Sequence, residues 1–269
     1  MTACLPTPLL SMKSLDVEFE GRPPRRVLRG VSCTLQAGQT LCVIGESGSG
    51  KTVGCRSILG LLPHGARVSG SIQLAGRELL GLSERDMRQF RGREIAMVFQ
   101  DPARALNPTM RVGTQIMECI RHHRGASTKA ARGHAVRLMA HLHLPAPDEL
   151  YFAYPHELSG GMQQRIMIAI ALAGGPSLLI ADEATRALDA ANQLQILQLL
   201  RHLQRENGMA MVIVTHNIIV AAAMADWLLV LHSGQVVEYG PAASIMRSPS
   251  TTYTRALIQA SHSPLSWSR

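Results

Sequence analysis

The stretch that most restricts how this chain can fold is "GESGSGKT", Gly45 to Thr52, an uninterrupted match to G-x-x-x-x-G-K-[ST]. It follows the apolar run "LCVIG" and precedes a helical stretch. A strand that feeds a glycine-rich turn and then a helix belongs to a strand-helix-strand fold, whose parallel sheet needs cover on both faces. Gly45, Gly48 and Gly50 allow backbone turns closed to other residues and bring N–H groups against phosphate oxygens. The helix that follows points its positive dipole end at the same place. Lys51 adds a formal charge near the terminal phosphates, and the Thr52 hydroxyl is placed to ligate Mg²⁺. The helix is expected to run from Lys51 to about Leu62, where Pro63 stops it.

A second stretch supplies what the first one lacks. "LLIADEATRALD", Leu178 to Asp189, is an apolar run that ends on two adjacent carboxylates. A nucleoside triphosphate with Mg²⁺ needs an acid at the tip of a neighbouring strand, and Asp182 is placed to contact the metal directly or through water. Glu183, one residue further, is placed to polarise an attacking water.

The rest of the chain fits around these two runs. The first part reads as short β-segments, "SLDVEF", "VSCTLQAGQTLCVIG" and "SGSIQLAG", punctuated by glycine. From Val112 to Leu144 the apolar spacing is helical, with Ile116, Ile120, Val136, Leu138 and Leu142 on the pattern and "GASTK" as a connector. Another helix is expected to start at Ser159. The strand "SLLIA", the helix "ANQLQILQLLRHLQ", the strand "AMVIVT", the helix "NIIVAAAMA" and the run "WLLVLHSGQVVEYG" then alternate. The reading is one domain over 1–269, with a core from 1–100 and 176–269 and a helical subdomain at about 101–175.

Composition narrows the setting. The net charge of +8 is lopsided: residues 1–135 carry 19 Lys+Arg against 10 Asp+Glu, and residues 136–269 carry 8 against 9. Arginines cluster at Arg22, Arg25, Arg26 and Arg29 and again at Arg85, Arg88, Arg91 and Arg93, patches suited to nucleic acid, anionic lipid or acidic partner loops. Aromatic content of 4% leaves few stacking platforms for a single strand of nucleic acid. The five cysteines (Cys4, Cys33, Cys42, Cys55, Cys119) form no CxxC pair and are odd in number, which argues for reduced, structural thiols. No apolar run reaches the roughly 20 residues of a bilayer span. The N-terminus lacks the features of a signal peptide, so a cytoplasmic setting is expected.

"LSGGMQQR", Leu158 to Arg165, is the run that carries a family likeness. The chain resembles the nucleotide-binding subunits of ATP-binding-cassette (ABC) transporters over nearly its whole length. The family's pieces occur in order: the phosphate loop at 45–52, Gln100 in "FQDP", "LSGGM" at 158–162, "LLIADE" at 178–183, "ALD" at 187–189 and "VTH" at 214–216. The resemblance implies an α/β phosphate-loop ATPase cassette with a parallel core sheet, an N-terminal antiparallel β subdomain and a helical subdomain.

It also implies a site. ATP is expected on Gly45, Glu46, Ser47, Gly48, Ser49, Gly50, Lys51, Thr52 and Val53, with Phe19 stacking on adenine. Mg²⁺ is expected on Thr52, Gln100 and Asp182, and Gln100 also senses the γ-phosphate and links it to the helical insert. Glu183 and His216 join Lys51 and Gln100 in hydrolysis. Ser159, Gly160 and Gly161 are expected to cap the nucleotide on the opposite subunit, and Asp189 to cross the dimer seam. A Ser-Gly-Gly at a helix start is in itself an anion site.

Within the family, "FQDPARALNPTMRVGTQIMECI", "YPHELSGGMQQRIMIAIAL" and "SPSTTYTRALI" resemble the ATPases of peptide and nickel importers, and "SGGMQQR" the first of their two unequal ATPase subunits. Peptide members usually continue into a C-terminal cysteine cluster. No cysteine follows Cys119 here, which tilts the expectation towards nickel or metal chelates over di- and oligopeptides. The expected partners are a second ATPase subunit forming a heterodimer, two membrane permease subunits and an extracytoplasmic substrate-binding protein. The expected location is the cytoplasmic face of the inner membrane, as a peripheral protein. The competing readings are a soluble cassette ATPase acting on nucleic acid or ribosomes and a small-molecule kinase. One cassette with an insert of ordinary length disfavours the first, so no nucleic-acid partner is expected; the "LSGGM" element has no role in the second.

Three positions depart from the family pattern. Ala184 stands for Pro, which frees φ just beyond Glu183. Arg186 stands for Thr and adds a cation near the dimer seam. Asn217 stands for Asp after His216, and both residues are good helix N-caps.

Overall fold

The computed structural model describes residues 7–21, 24–185 and 189–262, which leaves Cys4, Arg22, Arg186, Ala187 and Leu188 outside the described residues. The chain opens with β1 (Leu10–Phe19), β2 (Arg25–Leu35), β3 (Thr40–Ile44), α1 (Lys51–Ile58), β4 (Ala66–Leu74), β5 (Arg77–Glu78) and α2 (Glu84–Phe90). It continues through β6 (Ile95–Val98), α3 (Pro102–Ala105), α4 (Val112–Arg124), α5 (Thr128–His141), α6 (Pro147–Leu150), α7 (Gly160–Leu172), β7 (Leu178–Asp182) and α8 (Ala190–Asn207). It closes with β8 (Ala210–Val214), α9 (Ile218–Met224), β9 (Trp227–His232), β10 (Gln235–Pro241), α10 (Ala242–Arg247) and α11 (Thr252–His262). Two compact units emerge, Met1–Met87 with Gly208–Arg269, and Arg88–Asn207.

The first unit holds two kinds of strand pairing. Antiparallel β2, β1, β4 and β5 lie in that order, with Leu10 of β1 opposite Leu35 of β2 on one side and Leu74 of β4 on the other. All three leucines are buried, so the period-2 apolar pattern fixes this register. The ladder is interrupted after Met12, where Ser14 turns to φ 46°. Gly70 of β4 faces that irregularity, and a Cβ there would lie 2.4 Å from the Ser14 carbonyl oxygen, so the backbones approach too closely for any side chain. β3 runs parallel between β8 and β9, with Cys42 opposite Ile213 and Leu228. β10 turns back antiparallel to β9. Parallel strands buried on both faces read as continuous apolar runs, which is how "LCVIG", "AMVIV" and "WLLVLH" look.

Two long-range polar contacts fix the edges of this unit. The Asp226 carboxylate accepts from the Thr40 backbone N–H at 2.7 Å, at the start of β3. The Tyr239 hydroxyl on β10 donates to the Thr34 carbonyl at 2.7 Å and ties β10 to β2. Cys33, Cys42 and Cys55 are buried free thiols and Cys119 is half-buried. Burial pushes the Cys33 thiol up to about 12, and it pushes Cys42 up as well, with the Asp226 charge adding in the same sense. Both stay protonated and inert at neutral pH.

One helix boundary differs from the sequence expectation. α1 ends at Ile58, one turn before Leu62, because Gly60 takes φ 61° and the Gly60 and Leu61 N–H groups bond back to the Ser57 and Arg56 carbonyls. The stop is a left-handed glycine rather than Pro63.

The second unit pairs β6 and β7 in parallel, Ile95 opposite Leu178 and Val98 opposite Ala181. Its helices pack through regular apolar stripes. Val112, Ile116 and Ile120 of α4 and Ala131, Ala135 and Met139 of α5 recur every four residues and are fully buried. Burying each large aliphatic side chain contributes about 1.5–3 kcal/mol. Gly125 in the left-handed region ends α4, and the Ser127 hydroxyl accepts from the Ala130 N–H at 3.4 Å to start α5. α7 is buried on most of its circumference, including Ile166, Met167, Ile168, Ala169 and Leu172, and packs against α3, α4, α5 and β6. After α7, a Cβ on Gly174 would lie 1.7 Å from the Gly92 carbonyl oxygen, so only glycine fits. No helix among the described residues is long and apolar enough to cross a membrane.

Candidate functional site

Each unit carries its own set of the residues singled out in the sequence. In the first unit, β3 delivers the chain into the loop 45–50, and Gly45, Gly48 and Gly50 adopt φ values of 151°, 81° and 104°. A Cβ on Gly45 would meet the Leu231 carbonyl oxygen at 2.0 Å, so the loop is seated directly on β9. The Lys51 side chain is buried and folds back over the turn. Its ammonium donates to the carbonyl oxygens of Gly45 and Glu46, each at 2.7 Å. Glu46, Ser47 and Gly48 are exposed, Ser49 and Gly50 are buried, and Thr52 and Val53 are half-buried on the first turn of α1. The loop is therefore a concave backbone surface with a cation at its base and a helix start behind it, which suits a polyphosphate.

Phe19 sits half-buried at the end of β1, opposite Arg25 and Ala66. His216 is exposed just beyond the buried strand β8, which excludes a buried structural histidine there. Asn217 caps α9 by accepting from the Ile219 N–H at 2.9 Å, as expected for the Asp-to-Asn departure.

Sequence reasoning missed Tyr253. The hydroxyl of this α11 residue accepts from the Glu46 N–H at 3.2 Å, and its ring packs on His232 with centroids 4.2 Å apart. Burial pushes the phenol up from its ordinary value, and the Glu46 charge acts in the same direction, so the hydroxyl stays neutral. A pairing between residues 207 apart leaves no local signal; "SPSTTYTRALI" is visible only as a family likeness. Tyr253→Phe keeps the ring and removes the hydrogen bond. Losing one such bond costs about 0.5–1.5 kcal/mol, so ATP affinity is expected to weaken about 2–10-fold in a calorimetric titration. Unchanged affinity would show that the hydroxyl does not order the loop for its ligand.

In the second unit, the five residues of β7 are all buried, and the strand ends on Asp182, which is 6% exposed. Glu183 follows at φ 48°, a left-handed conformation uncommon for a residue with a side chain. Such conformations cluster at functional positions, where the surroundings hold them in place. Ala184 and Thr185 are buried, and the Thr185 hydroxyl accepts from the Gln193 side-chain amide at 3.1 Å. Thr185, two residues after Glu183, is thus anchored without a proline at position 184. Gln100 is exposed two residues past β6, before Asp101 caps α3 by accepting from the Ala103 N–H at 3.0 Å.

Ser159 is the N-cap of α7, its hydroxyl accepting from the Met162 N–H at 3.4 Å. The Gln163 side-chain amide donates to the Pro155 carbonyl at 2.8 Å and holds the preceding turn in place. Gly160 is exposed and has open space where a Cβ would be, so the first N–H groups of α7 are unobstructed. Asp189 is exposed, and its carboxylate accepts from the Asn192 N–H at 2.9 Å and from the Asn192 side chain at 2.6 Å. Within this chain it caps the start of α8.

The family model described as ABC transporter matches residues 28–186. The chain belongs to the ABC transporter family. The dipeptide transport ATP-binding protein DppD of Haemophilus influenzae is 42% identical over 93% of this chain and 77% of its own length. The oligopeptide transport ATP-binding protein OppD of Bacillus subtilis is 43% identical over 94% of this chain and 71% of its own. Among solved structures, the dimeric ATP-binding cassette MJ0796 in a post-hydrolysis state bound to ADP and Pi is 28% identical, covering 87% of this chain and 98% of that one at a TM-score of 0.78. The protein is an ABC-family ATPase with the mixed α/β cassette fold: an antiparallel N-terminal sheet, parallel core strands and a set of helices.

Proposed function

We propose that this ABC ATPase is the ATP-hydrolysing subunit of an importer for di- or oligopeptides. The observation that carries the reading is the identity of 41–44% over nearly the whole chain to proteins named for dipeptide and oligopeptide transport. Nickel or metal chelates are the second cargo class.

In the mechanism proposed, the loop from Gly45 to Thr52 binds the phosphates through backbone N–H groups and the Lys51 ammonium, with Phe19 against the adenine. The donor set suits Mg²⁺: the Thr52 hydroxyl, the Gln100 amide oxygen and the Asp182 carboxylate are hard oxygen ligands, and Asp182 is buried at a strand end. The ion would supply charge neutralisation of the phosphate oxygens. Glu183 takes the proton of the attacking water, and Gln100 and His216 orient that water and the γ-phosphate. Ser159, Gly160 and Gly161 offer the start of α7 to the nucleotide on a second ATPase subunit, and Asp189 lies at the seam between subunits. Two permease subunits, an extracytoplasmic binding protein and a heterodimeric ATPase partner complete the assembly, with this chain peripheral on the cytoplasmic face of the inner membrane.

The test is ATPase activity of the purified membrane complex in liposomes with its binding protein, across di- and oligopeptides, Ni²⁺ and Ni²⁺ chelates. Stimulation by peptides supports the proposal. Stimulation by nickel species alone replaces its cargo with a metal.

A further inference from the structure

Outside the nucleotide-binding residues, one group of metal-ligating side chains converges from two helices of the second unit. α5 ends on His141, and α8 carries His202 and Glu206 one turn apart on the same face. The Glu206 carboxylate lies between the two imidazoles: His141 Nε2 is 2.8 Å from Oε2, and His202 Nε2 is 3.2 Å from Oε1. The rings are nearly parallel, 17° apart with centroids at 6.1 Å. One ligand atom from each residue lies within 4.8 Å of the others, and all three residues are exposed. Among the described residues this is the one set of three metal-ligating side chains that meets this condition.

We propose that His141, His202 and Glu206 form a binding site for a borderline divalent transition ion of the Zn²⁺, Ni²⁺ or Co²⁺ class, which clips the end of α5 to the last turns of α8. Ligand atoms about 2.0–2.2 Å from a tetrahedral ion are spaced by roughly 3.3 Å, so the observed contacts need only side-chain adjustment to close around one. Two imidazole nitrogens and one carboxylate favour such ions over Mg²⁺, which demands oxygen ligands. The ligands come from rigid helices rather than loops, so little ordering is left for the ion to impose. The site also has an open side. An exposed polar cleft lined by His143, Arg165, Gln195, Gln198, Leu199 and His202 adjoins it, leaving room for water or a small ligand in the remaining coordination position. Arg165, the cation in that cleft, is held by the Leu142 carbonyl at 2.7 Å and Gln195 Oε1 at 2.9 Å.

The site uses none of the residues assigned to nucleotide binding, so it is tested without reference to transport. The full chain, stripped of metal with a chelator and kept in excess Mg²⁺, is titrated with Co²⁺ by visible absorption, and then with Zn²⁺ in competition. One ion per chain is expected. His202→Ala and Glu206→Gln should each weaken it by about 100-fold or more, since loss of even an outer-shell partner costs about 10–100-fold. ATP binding and the unliganded melting temperature should stay as in the parent chain. Zn²⁺ should raise the melting temperature of the parent chain but not of the variants, because an ion that binds only the folded state stabilises it. Unweakened binding in His202→Ala and in Glu206→Gln, or a parent chain that binds no more tightly than these variants, would reduce the cluster to an ordinary exposed pair of hydrogen bonds and overturn the proposal.

Discussion

Glu183→Gln is expected to leave ATP binding intact and to lower steady-state turnover by about 10²–10⁴-fold, the contribution of a positioned general base. Glutamine matches glutamate in size and can keep the φ of 48° that the backbone takes there, so the change removes basicity rather than shape. Asp182, the proposed metal ligand, remains buried at the end of β7 and is not altered by the change. With hydrolysis blocked, the ATP-bound assembly should accumulate and elute in MgATP as a larger species with the proposed partner ATPase subunit. Phosphate release at the parent rate would remove Glu183 from the chemistry and with it the proposed mechanism.

Lys51→Ala is expected to abolish useful nucleotide binding. A charge-assisted hydrogen bond contributes about 1.5–3 kcal/mol, so loss of the ammonium corresponds to about 10–100-fold in affinity from a single such contact. A second effect acts on the loop itself. The ammonium holds the Gly45 and Glu46 carbonyls at 2.7 Å each, and alanine leaves both without that donor in a turn where Gly45 already presses on Leu231. Fluorescent-nucleotide titration measures the affinity, and circular dichroism confirms that the fold persists. Parent-like ATP affinity in a folded Lys51→Ala chain would contradict the assignment of the phosphate loop.

These predictions rest on residues legible from the sequence because their chemistry is local. Glycines, a lysine and a hydroxyl within eight positions can make only a few structures, and an apolar strand ending on Asp182 limits where that carboxylate goes. Two helix starts were legible for the same reason, since Ser159 and Asn217 act on N–H groups three and two residues away; the cap at Ser127 lay inside what read as a connector. What escaped was set by competing or distant partners. Gly60 ended α1 before Pro63 could, because a left-handed glycine closes the last turn by itself. Tyr253 reaches Glu46 across 207 positions, and His141 reaches Glu206 across 65. No periodicity records such encounters, which depend on how whole elements are stacked. Asp189 read as a seam residue from the family likeness, while its hydrogen bonds within the chain became visible only once Asn192 was placed beside it.

The starts of α7 and α8 lie side by side, since a Cβ on Gly161 would come within 3.5 Å of Asn192 Oδ1. Their caps differ in charge. Ser159 is neutral, so the partial positive charge at the first turn of α7 stays available; Asp189 brings a full negative charge to α8 and cancels its share. The surface therefore has a built-in polarity over the width of two helices, attractive to an anion at Gly160 and repulsive one helix away. A phosphate approaching this face would be drawn to one of the two adjacent helix ends and turned away from the other.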